Sequence, residues 1–251
     1  MNKEKRIASL LRNNRAFFLA YDQGLEHGPT DFNDRNYDPT FIMNIAKQAN
    51  CTGVVFQRGT AEHYYDRNSG IPLILKLNGK TCLHKDEPYS PAICTVEEAV
   101  RLGASAVGYT IFVGSRMESV MFKEFAAIKK QADDYGLPTI IWAYPRGQDI
   151  KNKDSPELIA YAARVALELG ADFVKVREPK DLTKLAWAVK VAGKCRVLAA
   201  GGGKIASEKF LAKVDVILKQ GVTGFAIGRN IWQDDNALEL AKNVSARVFL
   251  Q

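Results

Sequence analysis

The chain has 251 residues, 47% of them hydrophobic, and carries a formal charge of +7. No apolar run reaches the roughly 18 residues of a membrane-spanning helix, and the charged start Met1-Asn2-Lys3-Glu4-Lys5-Arg6 lacks the apolar stretch of a secretory signal. A cytoplasmic protein with one large core, a single domain over residues 1–251, is therefore the expectation.

Lys and Arg are spread along the chain without a basic block, so small anions fit the charge better than nucleic acid does. Cys51, Cys82, Cys94 and Cys195 form no C-x-x-C pair, and His27, His63 and His84 lie far apart. Reduced thiols and no metal centre follow from that spacing.

In chain order, residues 3–13 read as a helix, with Ile7, Leu10 and Leu11 spaced to cover one end of a core. Eight strand-like apolar runs follow, at 17–21, 53–57, 72–77, 106–112, 139–144, 172–177, 197–200 and 224–228. Helical periodicity occupies about 39–48, 61–67, 117–135, 155–169, 181–191, 207–219 and 236–249. Thr95-Val96-Glu97-Glu98 has the capping-box pattern of a further helix start. Ser155-Pro156-Glu157 opens one helix and Gly170 closes it. Eight such alternations predict an α/β fold, a (β/α)8 TIM barrel with an extra N-terminal helix. An open doubly wound sheet is the alternative, disfavoured by the repeat number and by the absence of an early G-x-G-x-x-G.

The sixth run, Ala171-Asp172-Phe173-Val174-Lys175-Val176-Arg177, places a lysine in the middle of a strand. Side chains alternate along a strand, so Lys175 shares a face with Phe173 and Arg177. In a parallel sheet buried on both faces, that amine either snorkels from an edge or is desolvated, loses its proton easily and attacks carbonyls.

Barrel chemistry sits where strands end. The first strand runs into Asp22-Gln23-Gly24-Leu25-Glu26-His27-Gly28-Pro29, although an Asp there is as often a turn former. The third runs into Lys76-Leu77-Asn78-Gly79-Lys80-Thr81, and the fifth puts Trp142, Tyr144 and Arg146 on one face. Gly201-Gly202-Gly203-Lys204 follows the seventh strand and Gly228-Arg229-Asn230 the eighth. Either glycine turn alone is ordinary; both together match the recurrent phosphate site of such barrels.

These motifs, kept in order from about residue 16 to residue 233, resemble the archaeal-type class I fructose-1,6-bisphosphate aldolases. The resemblance implies that Lys175 is the Schiff-base lysine and Tyr144 the proton donor and acceptor. It implies that Asp22 contacts substrate hydroxyls, and that Trp142 and Arg146 shape the sugar-phosphate pocket. Gly201, Gly202, Gly203, Lys204, Gly228 and Arg229 would hold one phosphate, with Gln23, His27 and Gly59 at the pocket edge. Ala200 stands where some relatives carry a serine, so a hydroxyl contact is missing there. Arg177, if turned toward Lys175, would depress its pKa; Lys76, Lys80 and Arg58 are candidates for a second phosphate.

No cofactor is expected, because the iminium itself supplies the electron sink. A phosphorylated sugar as partner and a ring-like homo-oligomer, such as a decamer, are also implied. The other readings are a related Schiff-base aldolase or transaldolase for another phosphosugar, and a non-catalytic phosphosugar-binding barrel.

Overall fold

Eight parallel strands close on themselves in the computed structural model, which describes residues 2–250. They are β1 (Ala16–Ala20), β2 (Gly53–Gln57), β3 (Leu73–Lys76), β4 (Ala106–Val113), β5 (Thr139–Pro145), β6 (Phe173–Val176), β7 (Arg196–Ala200) and β8 (Gly224–Ile227). Each pairs with the next, and β8 returns to β1. The helices between them are α1 (Lys3–Ser9), α2 (Gly24–His27), α3 (Pro39–Gln48), α4 (Arg58–Tyr64), α5 (Val96–Arg101), α6 (Glu118–Asp134), α7 (Pro156–Glu168), α8 (Leu185–Val191), α9 (Ser207–Leu218), α10 (Arg229–Trp232) and α11 (Ala237–Phe249). The barrel and its N-terminal helix are those predicted.

Strand parity divides the core in two. Phe18, Val55, Ile74, Ala106, Ile140, Phe173, Leu198 and Ala226 point inward and fill the barrel. Leu19, Val54, Leu75, Val107, Ile141 and Val174 point outward and pack under the helices. Full burial of each such large side chain contributes about 1.5–3 kcal/mol, so a one-residue register slip would lose both layers at once.

The N-terminal helix is shorter than the predicted 3–13. Asn13 and Asn14 both adopt left-handed φ angles, 51° and 58°, which a helix cannot contain. They form the tip of a tight turn closed by Arg12 and Arg15, whose amides each donate to the other's carbonyl at 2.8 and 2.9 Å. This turn folds α1 across the N-terminal mouth of the barrel, where Ile7, Leu10 and Leu11 pack on the inner cluster. Arg6 donates to the Ala104 carbonyl at 2.9 Å, just before β4, and Lys3 pairs with Asp172 at 2.9 Å, just before β6. That mouth is sealed, so the opposite mouth is left for ligands.

The loop between β3 and α5 lies over the open mouth and is anchored from outside the barrel. Glu124 of α6 accepts the Ala92 amide at 3.0 Å and the Tyr109 hydroxyl at 2.6 Å, together with the Tyr89 hydroxyl.

Closure itself depends on one residue without a side chain. A Cβ on Gly224 would stand 1.8 Å from the Ala16 carbonyl oxygen, backbone against backbone, where β8 meets β1. Gly224→Ala should therefore destabilise the barrel by more than about 3 kcal/mol, beyond the usual cost of overpacking. Urea unfolding measures it; a midpoint unchanged from the parent would contradict this account of the seam.

Candidate active site

The inward parity that fills the lower barrel with apolar side chains turns polar at the strand ends. Asp22 follows β1, Gln57 ends β2 and Lys76 ends β3; Thr110 comes from β4, Trp142 and Tyr144 from β5, and Lys175 from β6. All line one cavity of about 1040 Å³, its open mouth included, together with Gln23, His27, Arg146, Arg177 and the glycine turns after β7 and β8.

Lys175 is only 7% exposed, and Lys76 only 4%. Both ammonium nitrogens lie over the Trp142 indole, 5.4 and 5.5 Å from its ring centre. The indole can lie there because the neighbouring inward position on β4 is Gly108: a Cβ would come within 2.2 Å of the Trp142 ring. Burial pushes the Lys175 pKa below the ordinary lysine value and the Arg229 cation pushes it further, against the pull of the Asp22 and Glu26 carboxylates. Lys76 is pushed down to about 8, chiefly by burial and then by Lys175, against the same two carboxylates. The strand lysine is therefore a desolvated amine and not a snorkelling one.

Arg177 differs from its expected place beside that amine. Its guanidinium pairs with Asp154 at 3.0 Å, and the cation that depresses Lys175 is Arg229, from the end of β8. Arg177 and Arg146 instead act on Tyr144. Burial, with the Asp22 and Glu26 carboxylates, holds the Tyr144 phenol far above its ordinary pKa, and the two guanidiniums only partly offset this. At neutral pH Tyr144 is thus a protonated donor. Arg146 is fixed by Glu26 at 3.0 Å and by the Phe112 face, 5.3 Å from its ring centre.

At the other side of the cavity, the Gly201–Gly203 turn and Gly228 with Arg229 expose backbone at the lining. Asn230, fully buried, pins this turn: its Nδ2 donates to the Gly201 and Gly203 carbonyls at 2.7 and 2.8 Å, and its Oδ1 accepts the Ile205 amide at 3.0 Å. Those bonds hold the turn in place at the cavity lining. Lys204 is turned away from the lining into an ion pair with Asp234, so Arg229 is the cation of this end. Glu178, after β6, is paired with Lys213 of α9.

Gly59 lies in the first turn of α4 and lines a neighbouring groove with Tyr21, Phe32, Tyr37 and Tyr64. Arg58 is held there by Glu98 at 3.1 Å. His27 is in the lining, with its Nδ1 2.6 Å from Asp31. Gln57, Ser90 and Thr110 have no place in the sequence-based site, and Glu26 and Asn230 stand in its motifs without a role. Gln57 and Thr110 could have been found from strand parity, while Ser90 and Asn230 depend on loop contacts that no periodicity shows.

Lys76 generates a test of the site's electrostatics. Its folded-state pKa lies below the ordinary 10.5, at about 8, so charging it opposes folding below pH 8 by about 3 kcal/mol. Between pH 8 and 10.5 the unfolded chain binds the extra proton and stability rises with pH. Lys76→Met should thus melt higher than the parent at pH 7, with the gap narrowing toward pH 10.5; a gap independent of pH would contradict the burial argument.

Comparison with known proteins bears on the whole chain. The model of the family described as DeoC/LacD family aldolase matches residues 16–234. The chain is 51% identical over 249 residues to the class 1 fructose-bisphosphate aldolase of Thermoproteus tenax, covering 98% of this chain and 94% of that one. It is 40% identical over 241 residues to the class 1 fructose-bisphosphate aldolase of Halobacterium salinarum, covering 95% and 92%. An archaeal fructose-1,6-bisphosphate aldolase, solved with its catalytic lysine covalently bound to the carbinolamine intermediate, superposes with a TM-score of 0.94 at 49% identity, covering 99% of this chain and 100% of that one. A closed barrel with a desolvated strand lysine at its open mouth, matched over nearly all its length, belongs to the DeoC/LacD family of aldolases.

Proposed function

We propose that this protein is a class I aldolase that reversibly cleaves fructose 1,6-bisphosphate to dihydroxyacetone phosphate and glyceraldehyde 3-phosphate. The observation that carries the reading is Lys175: a buried amine with a lowered pKa, in one cavity with a phenol and two glycine turns. The relatives' activity, at up to 51% identity over nearly the full chain, supports the choice of substrate.

The protonation states give a closed cycle. Neutral Lys175 adds to the C2 ketone, and a proton passes from its nitrogen to the oxygen to give a carbinolamine. Tyr144, a phenol at rest, protonates the departing hydroxyl; water leaves, and an iminium and a phenolate remain. That phenolate then takes the C4 hydroxyl proton while the C3–C4 bonding pair moves into the iminium, releasing the aldehyde and leaving an enamine. Tyr144 returns the proton to C3. Water adds to the new iminium, its extra proton returns to the phenolate, and the carbinolamine collapses to free amine and ketose phosphate. A carbanion is never formed, because the iminium accepts the electron pair.

The remaining groups bind. Arg229 and the backbone of Gly201–Gly203 and Gly228 hold the C1 phosphate, so that binding energy from a non-reacting group orients C2 toward Lys175. Asp22 accepts from sugar hydroxyls, and Trp142 forms an apolar wall that keeps water from the iminium.

A cytoplasmic setting accords with four free thiols, three of them buried, and among the described residues no helix is long and apolar enough to cross a membrane. A homo-oligomer is also part of the proposal, supported by Tyr37 and Tyr64, which expose apolar rings beside the groove of Gly59.

The experiment is a coupled cleavage assay with fructose 1,6-bisphosphate in the presence of a chelator. The parent protein should turn over, and Lys175→Met should fall to background while keeping a cooperative melt. Cleavage that survives in the folded Lys175→Met protein would overturn the assignment.

A further inference from the structure

The cavity holds a second buried amine that the cycle above does not use. Lys76 ends β3, three strands round the barrel from Lys175, and lines the same cavity. Its Nζ makes one hydrogen bond within the described residues, to the Asn78 carbonyl at 3.1 Å. An ammonium has three N–H bonds, so the others are available to a ligand's oxygen atoms.

Its position is fixed from behind. Asn78 is fully buried; its side chain accepts the Thr110 amide at 2.7 Å and donates to the Ser90 and Thr110 carbonyls at 2.8 and 2.9 Å. The carbonyl that receives Lys76 also receives the Gln57 side-chain amide at 3.1 Å. A charged donor held this rigidly is suited to act on a developing oxyanion.

Which oxygen it meets follows from the order of the strands. The glycine turns after β7 and β8 lie on one side of Lys175; Trp142 on β5, and then Lys76 on β3, lie on the other. With C2 at Lys175 and the C1 phosphate at the glycine turns, the cavity offers carbons 3 to 6 a path over the Trp142 indole, above which both amines sit.

Resting on the aldolase reading, we propose that Lys76 binds the aldehyde half of the substrate, its ammonium donating a hydrogen bond to the C4 oxygen. In condensation, this polarises the aldehyde carbonyl as its oxygen gains charge, while Tyr144 supplies the proton and Lys76 keeps its own. In cleavage, it stabilises the same oxygen as the C4 hydroxyl gives its proton to Tyr144. Its pKa of about 8, set by burial and Lys175 against Asp22 and Glu26, leaves it charged at neutral pH.

Two reactions separate this from a role in tuning Lys175. Exchange of the C3 hydrogen of dihydroxyacetone phosphate with deuterated water, followed by NMR, needs Lys175, the iminium and Tyr144 but no aldehyde. Cleavage of fructose 1,6-bisphosphate needs both halves. Lys76→Met should keep the exchange within about threefold of the parent and lose about 100-fold in cleavage kcat/KM, the scale of one removed oxyanion donor. Lys76→Arg should recover part of the cleavage.

Exchange also reports that the variant is folded. Equal losses in both reactions would overturn the inference and assign Lys76 to the Schiff base, and unchanged cleavage would overturn it outright. A parent protein that neither exchanges nor cleaves would instead reject the aldolase reading itself.

Discussion

Desolvation of the Lys175 amine is the constraint on which the rest of the molecule depends. An ammonium at the centre of a barrel loses most of its hydration, and the free energy of that loss favours the neutral, nucleophilic form. A closed sheet provides such a place without leaving backbone groups unpaired. The barrel therefore does more than display Lys175: its apolar lower layers and the α1 plug keep water from reaching the amine from below.

The same interior would disfavour a charged substrate if the charges were not arranged. Carboxylates of Asp22 and Glu26 pull the lysine pKa values up and the phenol pKa up; Arg229 opposes them at Lys175, and Arg146 and Arg177 oppose them at Tyr144. The outcome at neutral pH is a donor phenol beside an amine that deprotonates readily, the pairing that carbinolamine dehydration requires. Gly108 contributes by having no side chain, since its place is taken by the Trp142 indole over which both amines lie. Packing and electrostatics are thus one arrangement.

Much of this was legible in the sequence, for physical reasons that also mark the limits. The eight apolar runs fall within about a residue of the observed strands, because a strand buried on both faces must be apolar throughout. Lys175 stood out as a violation of that rule. The end of α1 was overrun because Ile7, Leu10 and Leu11 keep helical spacing past Ser9, up to the Asn13–Asn14 turn; short α2 and α10 are too brief to show a period.

Side-chain partners were the least legible. Arg177 has the right parity to approach Lys175, yet Asp154 holds it, and the acting cation comes from the start of α10, about fifty residues on. Lys204 follows the glycine turn in sequence but pairs with Asp234 in space. Gly59 lies one groove away from the cavity because α4 begins at Arg58. Such choices depend on contacts between distant segments, which one-dimensional periodicity cannot encode.

A Schiff base on Lys175 can be trapped by reduction. The protein is incubated with dihydroxyacetone phosphate and borohydride, digested, and its peptides are mapped by mass. One stable adduct is expected, on the peptide containing Lys175. An adduct on Lys76 in its place, or none in a folded protein that still cleaves fructose 1,6-bisphosphate, would contradict it.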